Sequence, residues 1–495
     1  MDARLPAVPS HAQLEQLENG LSLFVHFNIN PWHNYEHNCV REHGWLRKCI
    51  PASVFNPPVV DTDQWALAAV AMGAGEMCLT AHHEGGFCLW DTKHSNYSVM
   101  HSPYGRDVVD RFVVSCRKFG LRPCFYMGPN SNGWLTHHQR VPTSVFVHQQ
   151  LGMTSELLSN YGTISRLWWD HYPRGCAGWA ACPNGSFPEA WPQFINLVRR
   201  LSPTTIICPG PDCTGHAGDG DHESGNGWYP AWLSCQPNRR VSEMYLSCDE
   251  HDASAVHSGF SPFEATATMA NGWFCKGNGS ATVDPSPLHG ISSHAESAKN
   301  TFWDARRMWD SYMASVGIGW INTLNSPPCT TGRLPDPLVL SMSTFGKSLR
   351  GLLVPIAPPV ENVSVACGPD APAIVLDLLG HASGAVDFNA LMIREDLSTG
   401  QRIKSYTIQT YAQPHVGWAT LPSCTGAAQC DPFGRGPGGV HGRSVGARMI
   451  DFVGGAQRPV SARKVRLRCT SSIAPDGRAR IRSFSAHRGH PPPPI

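Results

Sequence analysis

The chain has 495 residues, of which 41% are hydrophobic and 16% charged, and Lys+Arg 39 against Asp+Glu 38 gives a formal net charge of +1. The apolar content excludes a disordered chain, and the balanced charge excludes a strong basic field for nucleic acid or an anionic membrane. No apolar run approaches the roughly 18 residues of a membrane-spanning helix. The 16 Trp and 24 His among so few charges favour an uncharged, ring-shaped ligand.

The first part of the chain alternates helix-like and strand-like segments. A strand over residues 21–26 is followed by four units in which a helix precedes a strand, with three of the helices closed by Gly. This order predicts a parallel sheet with crossover helices, and we expect an α/β (β/α)8-like, TIM-type barrel over residues 1–350, with a doubly wound open sheet as the alternative. The predicted helices cover 63–73, 107–120, 149–162 and 189–201, and their strands cover 76–81, 121–127, 167–170 and 204–208.

The pattern changes after about residue 350, where helical periodicity is nearly absent. Short β-like runs separated by turn residues, at 373–376, 391–393, 405–410 and 464–469, predict an antiparallel all-β sandwich over residues 351–495. The chain ends in a Pro-rich tail over 490–495.

The carboxyl ends of barrel strands surround the active site in this fold, so the residues at those ends are the candidates for chemistry. The strand over 21–26 ends in His26, the next ends at His82 and His83, and the following strands end near Tyr126 and at Trp168 and Asp170. We therefore expect one acid, several imidazoles and several aromatic rings to meet on one face.

Three activities fit such a face. In a retaining glycosidase Asp170 would be the nucleophile, and a second carboxyl group would act as acid and base. In a metal-dependent hydrolase His26, His82, His83 and Asp170 would be ligands, although adjacent residues on a strand point to opposite sides. In a sugar-binding protein the pocket would lack a competent pair. Asp170 could also be only a turn or helix N-cap residue.

The same segments resemble a known family. Leu79-Thr-Ala-His-His-Glu-Gly-Gly-Phe-Cys-Leu-Trp90 resembles the Leu-Thr-Ala-Lys-His-His-Asp-Gly-Phe-Cys-Leu-Trp segment of the α-L-fucosidases of glycoside hydrolase family 29. Leu167-Trp-Trp-Asp170 is similar to the segment with the family's nucleophile, and Arg394-Glu-Asp-Leu with Gly400-Gln-Arg-Ile is similar to the C-terminal module of plant-type members. The resemblance covers about residues 20–485.

The resemblance implies a retaining exo-glycosidase that hydrolyses terminal α-L-fucosides of glycans, with a galactose-binding-like β-sandwich and with no metal or organic cofactor. It assigns Asp170 as nucleophile and Glu223 as acid/base, with Asp219, Asp221, Glu243 and Glu250 as competing carboxylates. A related sugar of deoxy or galacto configuration, or a catalytically impaired sugar-binding relative, are the alternatives. The implied sugar-site residues are His26, His82, His83, Trp90, Tyr126 and Trp168.

Two departures from the family pattern affect the expected pocket. The second His of the family motif aligns with Glu84, which is followed by Gly85, and His171 replaces the Gly that follows the nucleophile. A shifted loop would still bring both His82 and His83 close to the sugar.

The 18 cysteines include the close pairs 176/182, 208/213 and 424/430, which favour disulfides. Four sequons, at Asn96, Asn184, Asn278 and Asn362, add weight to a secretory route. The N-terminal twenty residues are polar and show no signal-peptide pattern. Together these features favour a secreted or a lysosomal or vacuolar protein.

Overall fold

The structure of the chain is a computed structural model. The structure describes residues 8–34, 38–39, 41–42, 45–46, 48–170, 190–208, 210–216, 260, 262–279, 281–284, 300–379, 384–412, 417–421, 445–455 and 458–492.

Seven α-helices lie among the described residues of the first part of the chain. Their ends follow local capping chemistry: the Asp61 side chain accepts a hydrogen bond from the backbone N–H of Gln64 at 3.1 Å, and Gly73 closes the same helix at a φ of 93°. The helices are α1 (His11–Asn19), α2 (Thr62–Met72), α3 (Val108–Lys118), α4 (Thr143–Ser159), α5 (Trp191–Leu201), α6 (Ala305–Ala314) and α7 (Asp336–Leu353).

The central element is an eight-stranded sheet in which every neighbouring pair is parallel. The order across the sheet is β5-β4-β3-β2-β1-β8-β7-β6. The strands are β1 (Leu21–Val25), β2 (Glu76–His82), β3 (Arg122–Met127), β4 (Arg166–Trp168), β5 (Ile206–Ile207), β6 (Thr214–His216), β7 (Phe263–Thr268) and β8 (Ile321–Asn325).

The sheet curls into a barrel, because side chains from strands far apart in its order touch one another. Arg166 on β4 forms an ion pair with Glu264 on β7, and its Nη2 lies 2.6 Å from Oε1 of Glu76 on β2. A disulfide between Cys208 and Cys213 joins the residues that follow β5 to those that precede β6, the two edge strands. The predicted TIM-type barrel is confirmed, and the open sheet is excluded by these contacts across the interior.

Eleven antiparallel strands follow and form a four-stranded sheet in the order β9-β19-β12-β15, a second in the order β10-β18-β13-β14, and a three-stranded sheet in the order β11-β17-β16. Their inward side chains, among them Phe388, Ile408 and Phe484, form one hydrophobic core. The strands are β9 (Val360–Ala366), β10 (Ile374–Asp377), β11 (Val386–Phe388), β12 (Ala390–Glu395), β13 (Ile403–Tyr411), β14 (Trp418–Thr420), β15 (Met449–Phe452), β16 (Gly454–Gly455), β17 (Arg458–Ala462), β18 (Lys464–Ser472) and β19 (Arg478–His487).

The predicted elements match the observed ones in type, with differences at their ends. Helix α4 begins at Thr143, six residues before the expected start at 149, because Pro142 precedes a continuous helical run. The strands expected over 167–170 and 204–208 are shorter, at Arg166–Trp168 and Ile206–Ile207. The predicted boundary between the domains at residue 350 remains a prediction.

Disulfides join five cysteine pairs among the described residues, and Cys208–Cys213 is one that the spacing indicated. The pairs 176/182 and 424/430 lie outside the described residues. Cys88 and Cys116 are free and buried. The disulfides are Cys39–Cys49, Cys78–Cys124, Cys208–Cys213, Cys275–Cys329 and Cys367–Cys469.

We expect Arg166→Met to lower the free energy of unfolding by about 3–5 kcal/mol, because it would leave Glu76 and Glu264 charged in the barrel without their cation. Lys118→Met is the control, since Lys118 and Asp63 form an ion pair whose side chains are 56% and 43% exposed, and such pairs contribute about 0–1 kcal/mol. Denaturant titration at pH 7 measures both values. Equal losses in the two variants would contradict the prediction.

Candidate active site

The inner side chains of the barrel are set by alternation along the strands. Three of these inward side chains are aromatic, and they form one buried cluster inside the sheet. They are Phe24 on β1, Tyr126 on β3 and Trp168 on β4. His26, two residues beyond Phe24, and Asp170, two residues beyond Trp168, continue the same alternation past the carboxyl ends of β1 and β4. The sequence therefore projects an imidazole and a carboxylate over the same end of the barrel.

Asp170 is a partly exposed turn residue that follows β4. The hydroxyl of Tyr126, which is buried, donates a hydrogen bond to Oδ2 of Asp170 at 2.8 Å. A phenol donor stabilises the charged form of a carboxylate and fixes its orientation. Asp170 is thus held as an oriented, partly accessible carboxylate.

Stacked rings lie beside this carboxylate. Tyr126 stacks on Trp168 with centroids 5.3 Å apart and on His83 with centroids 5.4 Å apart. The indole N–H of Trp168 donates to Oε2 of Glu264 at 3.1 Å, which ties the stack to the buried Arg166 ion pairs. We call His26, His83, Tyr126 and Trp168 the inner ring cluster.

Within the inner ring cluster, His26 is held in one tautomer by Asn325 at the end of β8. Nδ2 of Asn325 donates to the carbonyl oxygen of Trp273 at 2.9 Å, so the amide oxygen of Asn325 is the atom that lies 2.9 Å from Nδ1 of His26. An oxygen can only accept there, so the proton is on Nδ1 and Nε2 of His26 is a hydrogen-bond acceptor.

His26 is also uncharged at neutral pH. Burial, followed by the neighbouring His83, holds the pKa of His26 well below its ordinary value, and the hydrogen bond to Asn325 offsets this only in part. A neutral imidazole with a free acceptor nitrogen suits a hydroxyl group, which can donate to it. The rings of Trp273 and Phe274, at 4.9 and 5.4 Å from the His26 ring, add apolar surface around it.

A β-bulge decides which of the two adjacent histidines belongs to this cluster. Thr80 pairs with Tyr126 but His82 pairs with Met127, so Ala81 is an extra residue and the alternation reverses after it. His83 consequently lies against Tyr126 and Phe274. Without the bulge, the inward position would be that of His82.

His82 and Trp90 lie on the outer side of the sheet. The His82 ring stacks on Trp90 at 6.3 Å, and the indole of Trp90 donates to Oε2 of Glu156 on α4 at 2.9 Å. Both are fully buried between the strands and the helices. The structure therefore brings Asp170, His26, His83, Tyr126 and Trp168 together but does not bring His82 and Trp90 to them.

The expected second carboxylate, Glu223, lies outside the described residues, as do Asp219, Asp221, Glu243 and Glu250 and the departure at His171. Three residues that the sequence analysis did not assign to the site contact His26. Asn325 lies at the end of a strand, which is the same signal that selected His26. Trp273 and Phe274 lie in an irregular segment after β7, where no periodicity marks them.

A metal centre is not favoured by the described residues. The group that they offer at ligand spacing is Cys208, Cys213 and Glu264. The two sulfurs are bonded to each other, and Glu264 is neutralised by Arg166. Because His82 faces away from His26 and His83, the ligand set considered from the sequence does not assemble.

Comparisons with known proteins agree with this geometry. Residues 22–253 match the family model described as Alpha-L-fucosidase. Alpha-L-fucosidase 1 of Arabidopsis thaliana is 25% identical over 448 residues, covering 84% of this chain and 80% of that protein.

Solved structures are similar in fold. A glycoside hydrolase 29 family member from an unknown rumen bacterium is 20% identical, with a TM-score of 0.69 over 98% of this chain and 78% of that chain. A Ruminococcus gnavus family 29 fucosidase in complex with fucose is 16% identical, with a TM-score of 0.69 over 99% of this chain and 97% of that chain. At these identities the likeness bears on the fold alone.

The environment of His82 generates a prediction about acid stability. Burial lowers the pKa of His82 from 6.5 to about 4, while its Nδ1–H donates to the carbonyl oxygen of His83 at 3.0 Å. Between these values the unfolded chain binds a proton that the folded chain does not, so the free energy of unfolding falls as the pH falls from 6.5 to 4. The loss assigned to His82 is about 3 kcal/mol.

We therefore expect His82→Phe, which keeps a ring against Trp90, to reduce the loss of stability between pH 6.5 and pH 4 by about that amount. Urea unfolding at several pH values measures the difference. His11→Phe, at an exposed histidine, is the control and should keep the pH dependence of the wild type. An unchanged dependence in His82→Phe would show that another group is responsible.

Proposed function

We propose that this chain, whose residues 22–253 match the α-L-fucosidase family model, is a member of glycoside hydrolase family 29 that releases terminal α-L-fucose from glycans with retention of configuration. The observation that supports this best is the Asp170 carboxylate, oriented by Tyr126 at the carboxyl end of β4 beside the inner ring cluster. A carboxylate in this position of a barrel is suited to nucleophilic attack on a sugar.

In the proposed first step an oxygen of Asp170 attacks the anomeric carbon as the glycosidic C–O bond breaks. Glu223 gives its proton to the leaving oxygen, and a covalent fucosyl-enzyme results. In the second step the Glu223 carboxylate takes a proton from water while that water attacks the same carbon. The bond to Asp170 breaks, fucose leaves with its configuration retained, and both side chains return to their starting states.

The inner ring cluster would bind the sugar without using charge. Nε2 of His26 would accept a hydrogen bond from a ring hydroxyl, because its proton is committed to Nδ1. His83 would contact a second hydroxyl, and the faces of Tyr126 and Trp168 would pack on the C–H and methyl side of fucose. Such apolar faces with a few oriented polar groups are typical of pockets for neutral ligands.

His82 and Trp90, which the family resemblance assigned to the sugar site, would support it from the outer layer. His82 holds the carbonyl group of His83, and Trp90 is held by Glu156 on α4. Their substitution would act on the sugar through the position of His83.

We propose in addition that the protein is secreted or lies in a lysosome or vacuole. Its disulfides persist in oxidising surroundings, and the sequon residues Asn96, Asn278 and Asn362 are exposed. Among the described residues, no helix combines the length and the apolar character needed to cross a membrane.

We expect Asp170→Gly to lower kcat/KM on an aryl α-L-fucoside by about three orders of magnitude or more, because the covalent step loses its nucleophile. Azide fills the space of the missing side chain, so added azide should restore turnover and yield a fucosyl azide. Asp377→Asn, at an exposed strand end of the sandwich, is the control for general effects of losing a carboxylate.

Full activity in Asp170→Gly would remove Asp170 from the mechanism. A wild-type protein that binds fucose but turns over neither aryl nor natural fucosides would support the sugar-binding alternative. Preferred turnover of an aryl glycoside of another deoxy or galacto-configured sugar would support the alternative exo-glycosidase.

Substitution of Glu223 tests the acid/base separately. On a natural glycan Glu223→Ala should lose about 10²–10⁴-fold in kcat/KM, the usual contribution of a general acid. An aryl fucoside with a good leaving group needs no proton, so its kcat/KM should fall far less. An equal loss on both substrates would exclude Glu223 as the acid, and the same pair of substrates then distinguishes Asp219, Asp221, Glu243 and Glu250.

A further inference from the structure

The sandwich meets the barrel through one face of two paired strands. Ala390 and Met392 on β12 and Ile450 on β15 are buried together with the barrel's own core. Phe452 at the end of β15 lies with its ring 6.3 Å from that of Trp309 on α6. This face of the β12–β15 pair is therefore an apolar contact between the two parts of the chain.

Two arginines lie at the far end of that apolar face. Ile393 pairs with Met449, so continuing the antiparallel register by one residue places Arg394 opposite Arg448. Alternation along the strands puts both side chains on the side of Met392 and Ile450, toward α6. Like charges directly opposite each other on neighbouring strands are destabilising.

The site is buried. Arg448 is only 7% exposed, and its two Nη atoms donate to the hydroxyl of Tyr312 on α6 at 2.9 Å and to the carbonyl oxygen of Glu18 at 3.0 Å. Neither partner is a carboxylate. Within the described part of the chain, no carboxylate forms an ion pair with Arg394 or Arg448, and the buried Nε atoms of both have no hydrogen-bond partner.

Holding these two cations side by side without a counter-charge costs free energy of folding. A buried cation needs a counter-charge or hydrogen-bond acceptors to offset the loss of water. Burial, and then the nearby Arg448, lower the pKa of Arg394 to about 10, so at neutral pH the two positive charges coexist. The two Nε–H groups without partners, on arginines that the strand register places opposite each other, are donors of the kind that hold an anion.

We propose that a small inorganic anion binds between Arg394 and Arg448 and stabilises the junction between barrel and sandwich. The anion accepts from the two Nε–H groups and neutralises the repulsion across β12 and β15. Tyr312 and the backbone of Glu18 hold Arg448 in place, so the site joins α6, the end of α1 and the sandwich. It is separate from Asp170 and the inner ring cluster, and it does not depend on the proposed hydrolysis.

The test measures the thermal midpoint of the full-length protein while chloride, or phosphate in a second series, replaces gluconate at constant ionic strength. The wild type should show a saturable rise of a few degrees, because a ligand that binds only the folded state stabilises it by mass action. Arg394→Met and Arg448→Met should lose this rise. Lys404→Met, which removes an exposed cation from β13, is the control and should respond as the wild type does.

The two series distinguish chloride from an oxyanion, and the variants separate binding from the general salting effect of phosphate, which acts on every protein surface. Crystals soaked in bromide give a second readout, with an anomalous peak expected between the two guanidinium groups of the wild type. A wild-type midpoint that does not depend on the anion, with no bromide peak, would overturn the proposal. So would an equal response in all four proteins.

Discussion

The buried ion pairs of Arg166 are the interaction on which the pocket depends. One guanidinium inside the barrel holds Glu76 on β2 and Glu264 on β7, and all three side chains are fully buried. Burial alone would raise the pKa of Glu76, but Arg166 and Arg122, together with hydrogen bonds from Ser165 and Ser22, lower it further than burial raises it. Glu264 in turn holds the indole of Trp168, Trp168 stacks under Tyr126, and Tyr126 holds Asp170. The orientation of the proposed nucleophile is therefore linked to charges deep in the barrel.

The second constraint is a single extra residue on β2. The bulge at Ala81 turns His83 toward Tyr126 and sends His82 to the outer layer against Trp90. This arrangement gives two neighbouring histidines different tasks, because one lies in the inner ring cluster and the other holds its backbone. It also explains why a chain whose motif differs from the family pattern at Glu84 and Gly85 still presents an imidazole to the pocket.

The chain has few charges, and the sugar pocket and the junction between barrel and sandwich differ in how those charges are compensated. In the pocket, neutral groups surround one carboxylate, which suits a sugar. At the junction, the buried Arg448 and the partly exposed Arg394 lie together without an acid paired to them among the described residues, which suits an anion. Two like charges side by side, one of them buried, need compensation from another group. The net charge of +1 therefore covers two different environments, a pocket of neutral groups around one carboxylate and a junction with two positive charges.

The sequence by itself determined the order of helices and strands, the change to a sandwich, and the strand ends at His26, Tyr126 and Asp170. These follow from local periodicity and capping, which act over a few residues. Only the tertiary structure decided that His83 rather than His82 faces inward, that Asn325 fixes the tautomer of His26, and that Arg166 meets Glu264. Those outcomes depend on a bulge and on contacts between strands that are distant in the chain. Neither can be recognised from the periodicity of the residues concerned.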